Sequence, residues 1–366
     1  MYRHDDFMKR ALALARRGQG YTSPNPAVGA VVVKAGRIVG EGYHRRAGAP
    51  HAEMEALRAA GEATRGATLY VTLEPCNHYG RTPPCTEAII EAGISEVFYA
   101  VADPNPHVAG NGQQRLASAG IAVHHGLGAA KATDLNRFFF HMIKTGRPYV
   151  VAKFASSLDG KIATRTGHSQ WITGSEAREA GHGLRHLVDA ILIGADTAIT
   201  DNPQLTTRLP RSEVRHPLRI VLDSRGRVPL ASRLYQADLP GQTLVAATQA
   251  MPPAHLAALE QQGVETLLLP ATASGRIDLA ALLAELGRRQ LTSLLVEGGG
   301  QVLGSFFEAA LVNEVWAFLA PLIIGGQAAQ SPVSGSGSAT LTDAFRLKHA
   351  TVETVGCDFL IRGFVN

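Results

Sequence analysis

The feature that most constrains the fold is an alternation of short apolar runs with segments of helical periodicity, which occurs in two series along the 366-residue chain. Strands that alternate with helices build a sheet covered by helices, so each series predicts a layered α/β domain. The turn-forming string Gly146-Arg147-Pro148 separates the two series. The chain is also longer than one ordinary domain requires. We therefore predict two α/β domains, at residues 1–145 and 146–366.

The first series predicts a helix at residues 6–17 and then a hairpin whose strands end near Lys34 and Tyr43. Further helices and strands follow at residues 51–60, 67–73, 86–93, 94–101 and 134–144. The second series contains apolar runs with helical segments between most of them, and it predicts a largely parallel sheet. These runs lie at residues 149–155, 189–194, 218–223, 243–247, 292–297 and 314–319.

The charge pattern argues against a nucleic-acid-binding protein. The formal net charge is +4, and the basic residues are dispersed along the chain without a long Lys/Arg run. Aromatic residues, which would stack on bases, make up only 6% of the chain. A mildly basic surface favours phosphorylated small molecules. We therefore expect a small-molecule substrate and no nucleic acid or membrane partner.

The cysteine content predicts a reducing compartment. The chain has three cysteines, Cys76, Cys85 and Cys357, which do not make a disulfide framework. Cys357 lies in a strand-like context, and we expect it to be a buried free thiol. The first residues lack the apolar core of a signal peptide, and no apolar stretch is long enough to span a membrane. These observations predict a cytoplasmic protein.

Four residues of the first series suggest a metal centre: His51, Glu53, Cys76 and Cys85. One imidazole and two thiolates leave a fourth position of a tetrahedral zinc ion open, as a catalytic zinc requires. Glu53 is placed to shuttle a proton for an attacking water. Zinc-dependent nucleobase deaminases combine a His-x-Glu with a later pair of cysteines, although here eight residues separate the two cysteines. We expect all three ligands to lie near helix starts, where a thiolate is favoured.

Alternatives to a catalytic zinc follow from the neighbouring residues. A structural zinc would take a fourth ligand, for which His44 and His78 are candidates. Iron could replace zinc, although two thiolates and an imidazole favour zinc. Asn25, between two prolines, is either a hydrogen-bonding partner of a substrate ring or a plain turn residue.

A glycine string in the second series, from Leu294 to Ser305, predicts a strand, a tight turn and a helix. Backbone amides at such a helix start suit a phosphate group. The string is not a full dinucleotide-binding fingerprint, because Leu303 stands where the third glycine should be. Its two interpretations are a nucleotide site and a tight connection between strand and helix. Residues 331–339, rich in Ser and Gly, predict a flexible loop.

Together these strings resemble the bifunctional deaminase–reductase family of riboflavin biosynthesis. The deaminase half is matched at residues 24–26, 42–44, 49–53, 72–76 and 78–85, where the Gly-Arg-Thr-Pro-Pro insert is distinctive. The reductase half is matched at residues 153–160, 169–173, 196–206 and 296–300. The resemblance implies a cytidine-deaminase-like three-layer domain followed by a dihydrofolate-reductase-like α/β domain.

The resemblance also implies the chemistry. Zinc held by His51, Cys76 and Cys85, with Glu53 as proton shuttle, would deaminate 2,5-diamino-6-ribosylamino-4(3H)-pyrimidinone 5′-phosphate. NADPH would then reduce the ribosyl chain to ribityl. His78 and Arg81 would contact the ribose phosphate. We also expect a homo-oligomer.

In the reductase half, the resemblance implies two sets of binding residues. The cofactor set is Ala155, Trp171, Thr197, Asp201, Ser224, Gly299, Gly300, Gln301, Val302, Leu303, Gly304 and Ser305. The ribotide set is Ser169, Arg185, Leu205, Arg208 and Glu297. Residues 208–219 and 237–264 do not match a motif of the family.

Two functional details of the reductase half stay open. The proton donor for the reduction is Lys153, Asp201 or Glu297. Arg225 and Arg227 follow a predicted strand and are candidates to bind the 2′-phosphate of NADPH. Three rival hypotheses remain: an RNA-editing deaminase, a non-catalytic zinc scaffold, and a deaminase with a regulatory nucleotide-sensing domain.

Overall fold

The computed structural model describes residues 4–79, 83–105, 110–211 and 213–365. The chain divides into two compact units, one ending at Gly146 and the other beginning at Arg147. Among the described residues, no helix is both long and apolar enough to cross a membrane.

The first unit is built on a five-stranded mixed sheet. Its strands are β1 (Gly29–Lys34), β2 (Arg37–Tyr43), β3 (Thr68–Val71), β4 (Glu96–Tyr99) and β5 (Ala122–His125). Its helices are α1 (His4–Arg16), α2 (Ala52–Ala60), α3 (Cys85–Glu91), α4 (Asn111–Ser118), α5 (Ala129–Leu135) and α6 (Arg137–Thr145). The strand order is β2-β1-β3-β4-β5, in which β1 is antiparallel to β2 and β3, and β3, β4 and β5 are parallel.

Helices cover both faces of this sheet, which makes three layers. Successive side chains of a strand point to opposite faces. Accordingly Ala30 and Val32 of β1 pack in one apolar cluster with residues of α2, while Val31 and Val33 pack in another with residues of α1. All four side chains are buried, which is why β1 reads as a continuous apolar run.

Glycines in β2 allow α2 to lie directly against the sheet. A Cβ atom added to Gly42 would lie 2.5 Å from the carbonyl oxygen of Ala52, the first residue of α2. No real Cβ could approach that closely, so the glycine is needed for this packing. The close contact fixes the start of α2, and therefore His51, the residue immediately before it.

The second unit is built on a nine-stranded sheet. Its strands are β6 (Tyr149–Ser157), β7 (Ala190–Gly194), β8 (Leu218–Leu222), β9 (Thr243–Ala247), β10 (Glu265–Leu268), β11 (Ser293–Val296), β12 (Glu314–Ala320), β13 (Lys348–Val355) and β14 (Asp358–Phe364). Its helices are α7 (Ser175–Leu187), α8 (Ala195–Asp201), α9 (Pro253–Gln261), α10 (Leu279–Arg288) and α11 (Gly300–Glu308).

The sheet of the second unit is largely parallel, as the sequence predicts. Its order is β10-β9-β8-β7-β11-β6-β12-β14-β13, and every neighbouring pair is parallel except those that involve β14. The central strands are buried on both faces, and Ile191, Leu192 and Ile193 of β7 have no exposed surface. Parallel strands of this kind present their carboxyl ends to a common edge, where ligands bind in open α/β sheets.

The structure corrects two local predictions. Cys357 is exposed rather than buried, because it lies in the turn between β13 and β14 at the edge of the sheet. The helix predicted at residues 134–144 is divided at Asn136 between α5 and α6. The Asn136 side chain accepts a hydrogen bond from the Ala27 amide and donates one to the Ala27 carbonyl. These two bonds stabilise the loop before β1.

Candidate active sites

The three candidate metal ligands lie together in the first unit. The Nδ1 atom of His51 is 3.2 Å from the Sγ atom of Cys85 and 3.6 Å from that of Cys76. A tetrahedral zinc with ordinary Zn–N and Zn–S bonds would separate such ligand atoms by roughly 3.5 Å. The spacing of these donors, and the preference of zinc for thiolate and imidazole, therefore fit one zinc ion.

Local structure explains how the ligands converge. His51 precedes α2 and Cys85 is the first residue of α3, as expected, but Cys76 lies in the loop after β3 and not at a helix start. The Cys85 backbone amide nevertheless points to the Cys76 sulfur, at 3.4 Å. Hydrogen bonding from Cys85 and His51 outweighs burial and lowers the pKa of Cys76 to about 4, so this thiolate is prepared for a metal.

Glu53 lies beside the ligand cluster, in the first turn of α2. Its side chain is buried, and burial raises the pKa of its carboxyl group. A buried carboxyl group whose pKa is raised is a better proton acceptor than an ordinary carboxylate and can return the proton afterwards. This is the property that a proton shuttle needs.

A cavity of about 200 Å³ opens on this cluster and is lined by His51, Glu53 and Cys76. Asn25, His44 and His78 line it as well. His44 is held by the Pro50 carbonyl at 3.1 Å and lies 3.3 Å from the Asn25 amide nitrogen. Among the described residues, the cluster of possible ligands consists of His51, Cys76 and Cys85, without His44 or His78.

The cavity also contains residues that the sequence analysis missed, namely Glu74, Asp103 and Asn105. Glu74 is buried and accepts hydrogen bonds from the backbone amides of Asp103 at 3.4 Å and Gly110 at 3.2 Å. The bond to the Asp103 amide holds Asp103, and with it Asn105, at the cavity. The position of Glu74 immediately before Pro75-Cys76 was the available signal. Arg81, a predicted phosphate contact, lies outside the described residues.

The second unit contains a cavity of about 940 Å³ at the carboxyl ends of β6, β7, β8 and β11. Its walls include most of the predicted cofactor residues: Ala155, Thr197, Asp201, Ser224, Gly299, Gly300, Gln301, Val302, Leu303 and Ser305. Two predicted ribotide residues, Ser169 and Glu297, line the same cavity. A cavity of this volume is large enough for a drug-sized ligand or a cofactor.

The other predicted binding residues do not line this cavity. Trp171 is exposed, and the guanidinium of Arg178 lies 4.7 Å from its ring centre. Leu205 is buried in a left-handed backbone conformation, with φ of 52°. The exposed Arg208 donates its backbone amide to Nδ1 of His182, at 3.3 Å. Arg185 is mostly buried behind Glu297.

The glycine string is used both for packing and for lining the cavity. A Cβ atom on Gly304 would lie 1.7 Å from the carbonyl oxygen of Ser334, so the segment around Ser334 rests directly on α11. The Gly299 amide donates to the Thr197 hydroxyl at 3.0 Å. The loop predicted at residues 331–339 thus supplies part of the wall, through Ser331, Pro332 and Ser334. Gly304 itself faces this segment.

The three candidate proton donors have different electrostatic settings. Burial would raise the pKa of Glu297, but the charges of Arg185 and Lys153 outweigh it and lower that pKa to about 2. Glu297 is therefore a carboxylate at neutral pH. Lys153 lines the cavity, with Nζ 4.0 Å from Glu297 Oε2. Asp201 is exposed as a residue, yet the atoms packed around its carboxyl group displace water and raise its pKa.

Comparisons with known proteins agree on both units. Residues 1–101 match the family model for the cytidine and deoxycytidylate deaminase zinc-binding region, and residues 148–361 match that for the RibD C-terminal domain. The riboflavin biosynthesis protein RibD of Actinobacillus pleuropneumoniae is 45% identical, with 97% of this chain and 94% of the relative covered. The Escherichia coli RibD is 44% identical, with 96% of each covered.

Solved structures agree over nearly the whole chain. Acinetobacter baumannii RibD superimposes with a TM-score of 0.89 at 39% identity, covering 99% of this chain and 98% of that one. The Thermotoga maritima diaminohydroxyphosphoribosylaminopyrimidine deaminase/5-amino-6-(5-phosphoribosylamino)uracil reductase gives 0.87 at 38% identity, with the same coverage.

Proposed function

This chain belongs to the RibD family of bifunctional riboflavin-biosynthesis enzymes, and from that membership we propose which of its residues carry the two reactions. The first reaction is hydrolytic deamination of 2,5-diamino-6-ribosylamino-4(3H)-pyrimidinone 5′-phosphate in a zinc-dependent domain. The second is reduction of the ribosyl chain to ribityl by NADPH. We assign the deaminase domain to residues 1–145 and the reductase domain to residues 146–366.

In the deaminase, His51, Cys76 and Cys85 hold the metal. When bound, zinc activates water for attack on the ring carbon that carries the exocyclic amine. Glu53 accepts a proton from the attacking water and passes it to the amine nitrogen, which leaves as ammonia. Asn25 and His44, joined to each other, face the same cavity and orient the ring. The observation that carries this assignment is the buried Glu53 beside three converging ligand atoms.

In the reductase, bound NADPH would supply a hydride to the sugar carbon bonded to nitrogen in the ring-opened ribotide. We propose Lys153 as the group that gives a proton to the sugar oxygen as the ring opens. Glu297, ionised at neutral pH, cannot donate that proton but holds the Lys153 and Arg185 side chains. Asp201 is more exposed than Lys153 and lies at the end of α8.

The remaining predicted residues of the second unit divide into those that bind the ribotide and those that bind the cofactor. Ser169 and Glu297, which line the large cavity, bind the ribotide there. Arg185 acts through its ion pair with Glu297, and Leu205 and Arg208 contact the ribotide from outside the cavity lining. The glycine turn from Gly299, together with Thr197, holds the cofactor phosphates at the start of α11. Trp171 would reach the cofactor from the exposed surface.

We also propose a homo-oligomer in the cytoplasm. The position of β13 as the last strand of its sheet, with all its residues but the last exposed, supports assembly through a strand edge. The three unpaired cysteines support a reducing compartment. Light scattering of the purified chain and fractionation of cells that produce it test the two statements separately.

The deciding experiment is mass spectrometry of the diaminopyrimidinone ribotide after incubation with zinc-loaded protein and NADPH. A product that is both deaminated and reduced is expected, with one NADPH consumed for each ribotide. A deaminated but unreduced product would contradict the assignment of the second unit and favour a regulatory nucleotide sensor. An unchanged ribotide, with folded and metal-replete protein, would contradict both assignments.

A further inference from the structure

We propose that Arg225 and Arg276 form the subsite for the 2′-phosphate of NADPH and thereby set the preference of the reductase for NADPH over NADH. The inference rests on the proposed reductase function of the second unit. The sequence predicts Arg225 and Arg227 as candidates, whereas the structure places Arg276 beside Arg225 and pairs Arg227 with Asp196.

The two arginines approach one end of the large cavity from separate segments. Arg225 comes from the loop after β8, and Arg276 comes from a tight turn between β10 and α10. The turn is closed by a backbone hydrogen bond of 2.7 Å from Thr272 to the Arg276 carbonyl. Gly275, with φ of 75°, lies against Arg225, since a Cβ atom there would be 3.3 Å from Arg225 Nη2. Arg225 therefore lies beside the residue that precedes Arg276.

Arg276 is also held beside the helix whose glycine turn lines the cavity. Its guanidinium donates to Ser305 Oγ at 3.4 Å and to Gln301 Oε1 at 3.5 Å, both on α11. Backbone amides at the start of α11 suit the pyrophosphate of a dinucleotide. These contacts place the Arg276 guanidinium next to the proposed pyrophosphate position, where the adenosine end of the same cofactor must begin.

Charge distinguishes these two arginines from Arg227. Among the residues that the structure describes, neither Arg225 nor Arg276 forms an ion pair with a carboxylate, and the partners of Arg276 on α11 are uncharged. Arg227 Nη2, by contrast, lies 2.8 Å from Asp196 Oδ1. That carboxylate compensates the positive charge of Arg227 locally. A phosphate dianion gains most from cations whose charge is not yet compensated and which can donate in pairs.

A phosphate monoester could reach this end of the cavity from two sources, the 2′-phosphate of NADPH or the 5′-phosphate of the ribotide. The cofactor is favoured, because Arg276 is joined to α11, where the cofactor phosphates are proposed to lie. The proposed ribotide contacts, by contrast, centre on Glu297, Lys153 and Arg185. The test below separates the two sources with different phosphate probes.

The test measures dissociation constants by calorimetry for the full-length, zinc-loaded protein. The probes are NADPH, NADH, 2′,5′-ADP, 5′-AMP and ribose 5-phosphate. Arg225→Ala and Arg276→Ala are each expected to weaken NADPH and 2′,5′-ADP about tenfold or more, while NADH and 5′-AMP change by less than about twofold. The control Arg227→Ala, which removes an exposed arginine from the same loop as Arg225, is expected to change the ratio of NADPH to NADH affinity by less than about threefold.

The contrary outcomes are distinct. Equal losses for NADPH and NADH in Arg225→Ala and Arg276→Ala, or a loss in Arg227→Ala as large as theirs, would overturn the inference. A selective loss of ribose 5-phosphate binding would reassign the subsite to the ribotide and also overturn it. Wild-type protein that binds none of the nucleotides would instead overturn the proposed function. Unchanged NADH affinity shows that the variants are folded, because it needs the same cavity.

Discussion

Arg185 and Glu297 form a two-point ion pair in the second unit. Arg185 Nε lies 3.1 Å from Glu297 Oε1, and Arg185 Nη2 lies 2.7 Å from Oε2. Lys153 Nζ approaches the same Oε2 at 4.0 Å. All three side chains are mostly buried, with 15%, 9% and 19% of Arg185, Glu297 and Lys153 exposed. Two cations therefore share one carboxylate at the wall of the large cavity.

The first prediction is that Glu297→Gln destabilises the second unit. The glutamine keeps the shape of the side chain but leaves Arg185 and Lys153 without their common carboxylate, and breaking a buried pair costs about 3–5 kcal/mol. Calorimetric unfolding of the full chain measures the shift of the affected transition. Glu285→Gln, which removes the carboxylate that Arg288 and Arg289 share at the more exposed end of α10, is the control and is expected to cost about 1 kcal/mol or less. Equal effects of the two substitutions would contradict the prediction.

The second prediction concerns the pH dependence of that stabilisation. The pKa of Glu297 falls from its ordinary value of 4.5 to about 2 in the folded protein. A lowered pKa means that the contribution is fully present above about pH 4.5 and declines as the pH falls toward about 2. Urea unfolding at several pH values between these limits should show the difference between wild type and Glu297→Gln shrinking with acid. A difference that stays constant over this range would contradict the assignment.

The third prediction is that Glu53→Gln abolishes deamination but keeps the metal. Without its carboxylate the site loses the proton shuttle, which is worth about 10²–10⁴ in rate. Elemental analysis should still find zinc, and the deaminated ribotide should still be reduced at the wild-type rate. Glu55→Gln is the matched control, because Glu55 follows on the same helix and pairs with Arg58 at 2.9 Å. Deamination by Glu53→Gln at the wild-type rate would support a non-catalytic zinc scaffold instead.

The fourth prediction separates Lys153 from Asp201 as proton donor. Lys153→Met is expected to lower kcat of the reduction about 10²-fold or more, with NADPH affinity nearly unchanged. Adding a small primary amine to the Lys153→Met protein should restore part of the lost rate. Asp201→Asn is expected to act mainly on cofactor affinity, because Asp201 lies with Thr197 on α8 at the cavity wall. A large kcat loss in Asp201→Asn, without one in Lys153→Met, would exchange the two roles.

Much of the fold could be predicted because its central strands are buried on both faces. The apolar runs that became β7, β8 and β11 have few polar residues, and each is bounded by turn or helix signals. The edge strand β13 was missed because all its residues but the last are exposed, so its sequence shows no apolar alternation. Cys357 was placed wrongly for the same reason, since it lies at the end of that edge.

The metal site of the first unit could be predicted from the sequence more completely than the large cavity of the second. His51 and the two cysteines occur within local motifs, and the structure brings their ligand atoms together. Arg185 and Glu297 were both named as ribotide ligands, but their ion pair joins residues 112 positions apart, and no spacing rule predicts it. Asp103 and Arg276 lie in turns without a recognisable motif. Their roles depend on which loops the sheet brings to one edge.

The division of the chain into two units has a genetic consequence. The proposed metal ligands of the deaminase all precede Gly146, and the residues that line the large cavity all follow Arg147. A chain with Glu53→Gln and a chain with Lys153→Met should therefore lack different steps of the same conversion. Because the deaminated ribotide is itself the substrate of the second step, the two defective chains together can complete what neither completes alone. Inactivating mutations in this gene are thus expected to fall into two complementation groups, divided at the boundary between the units.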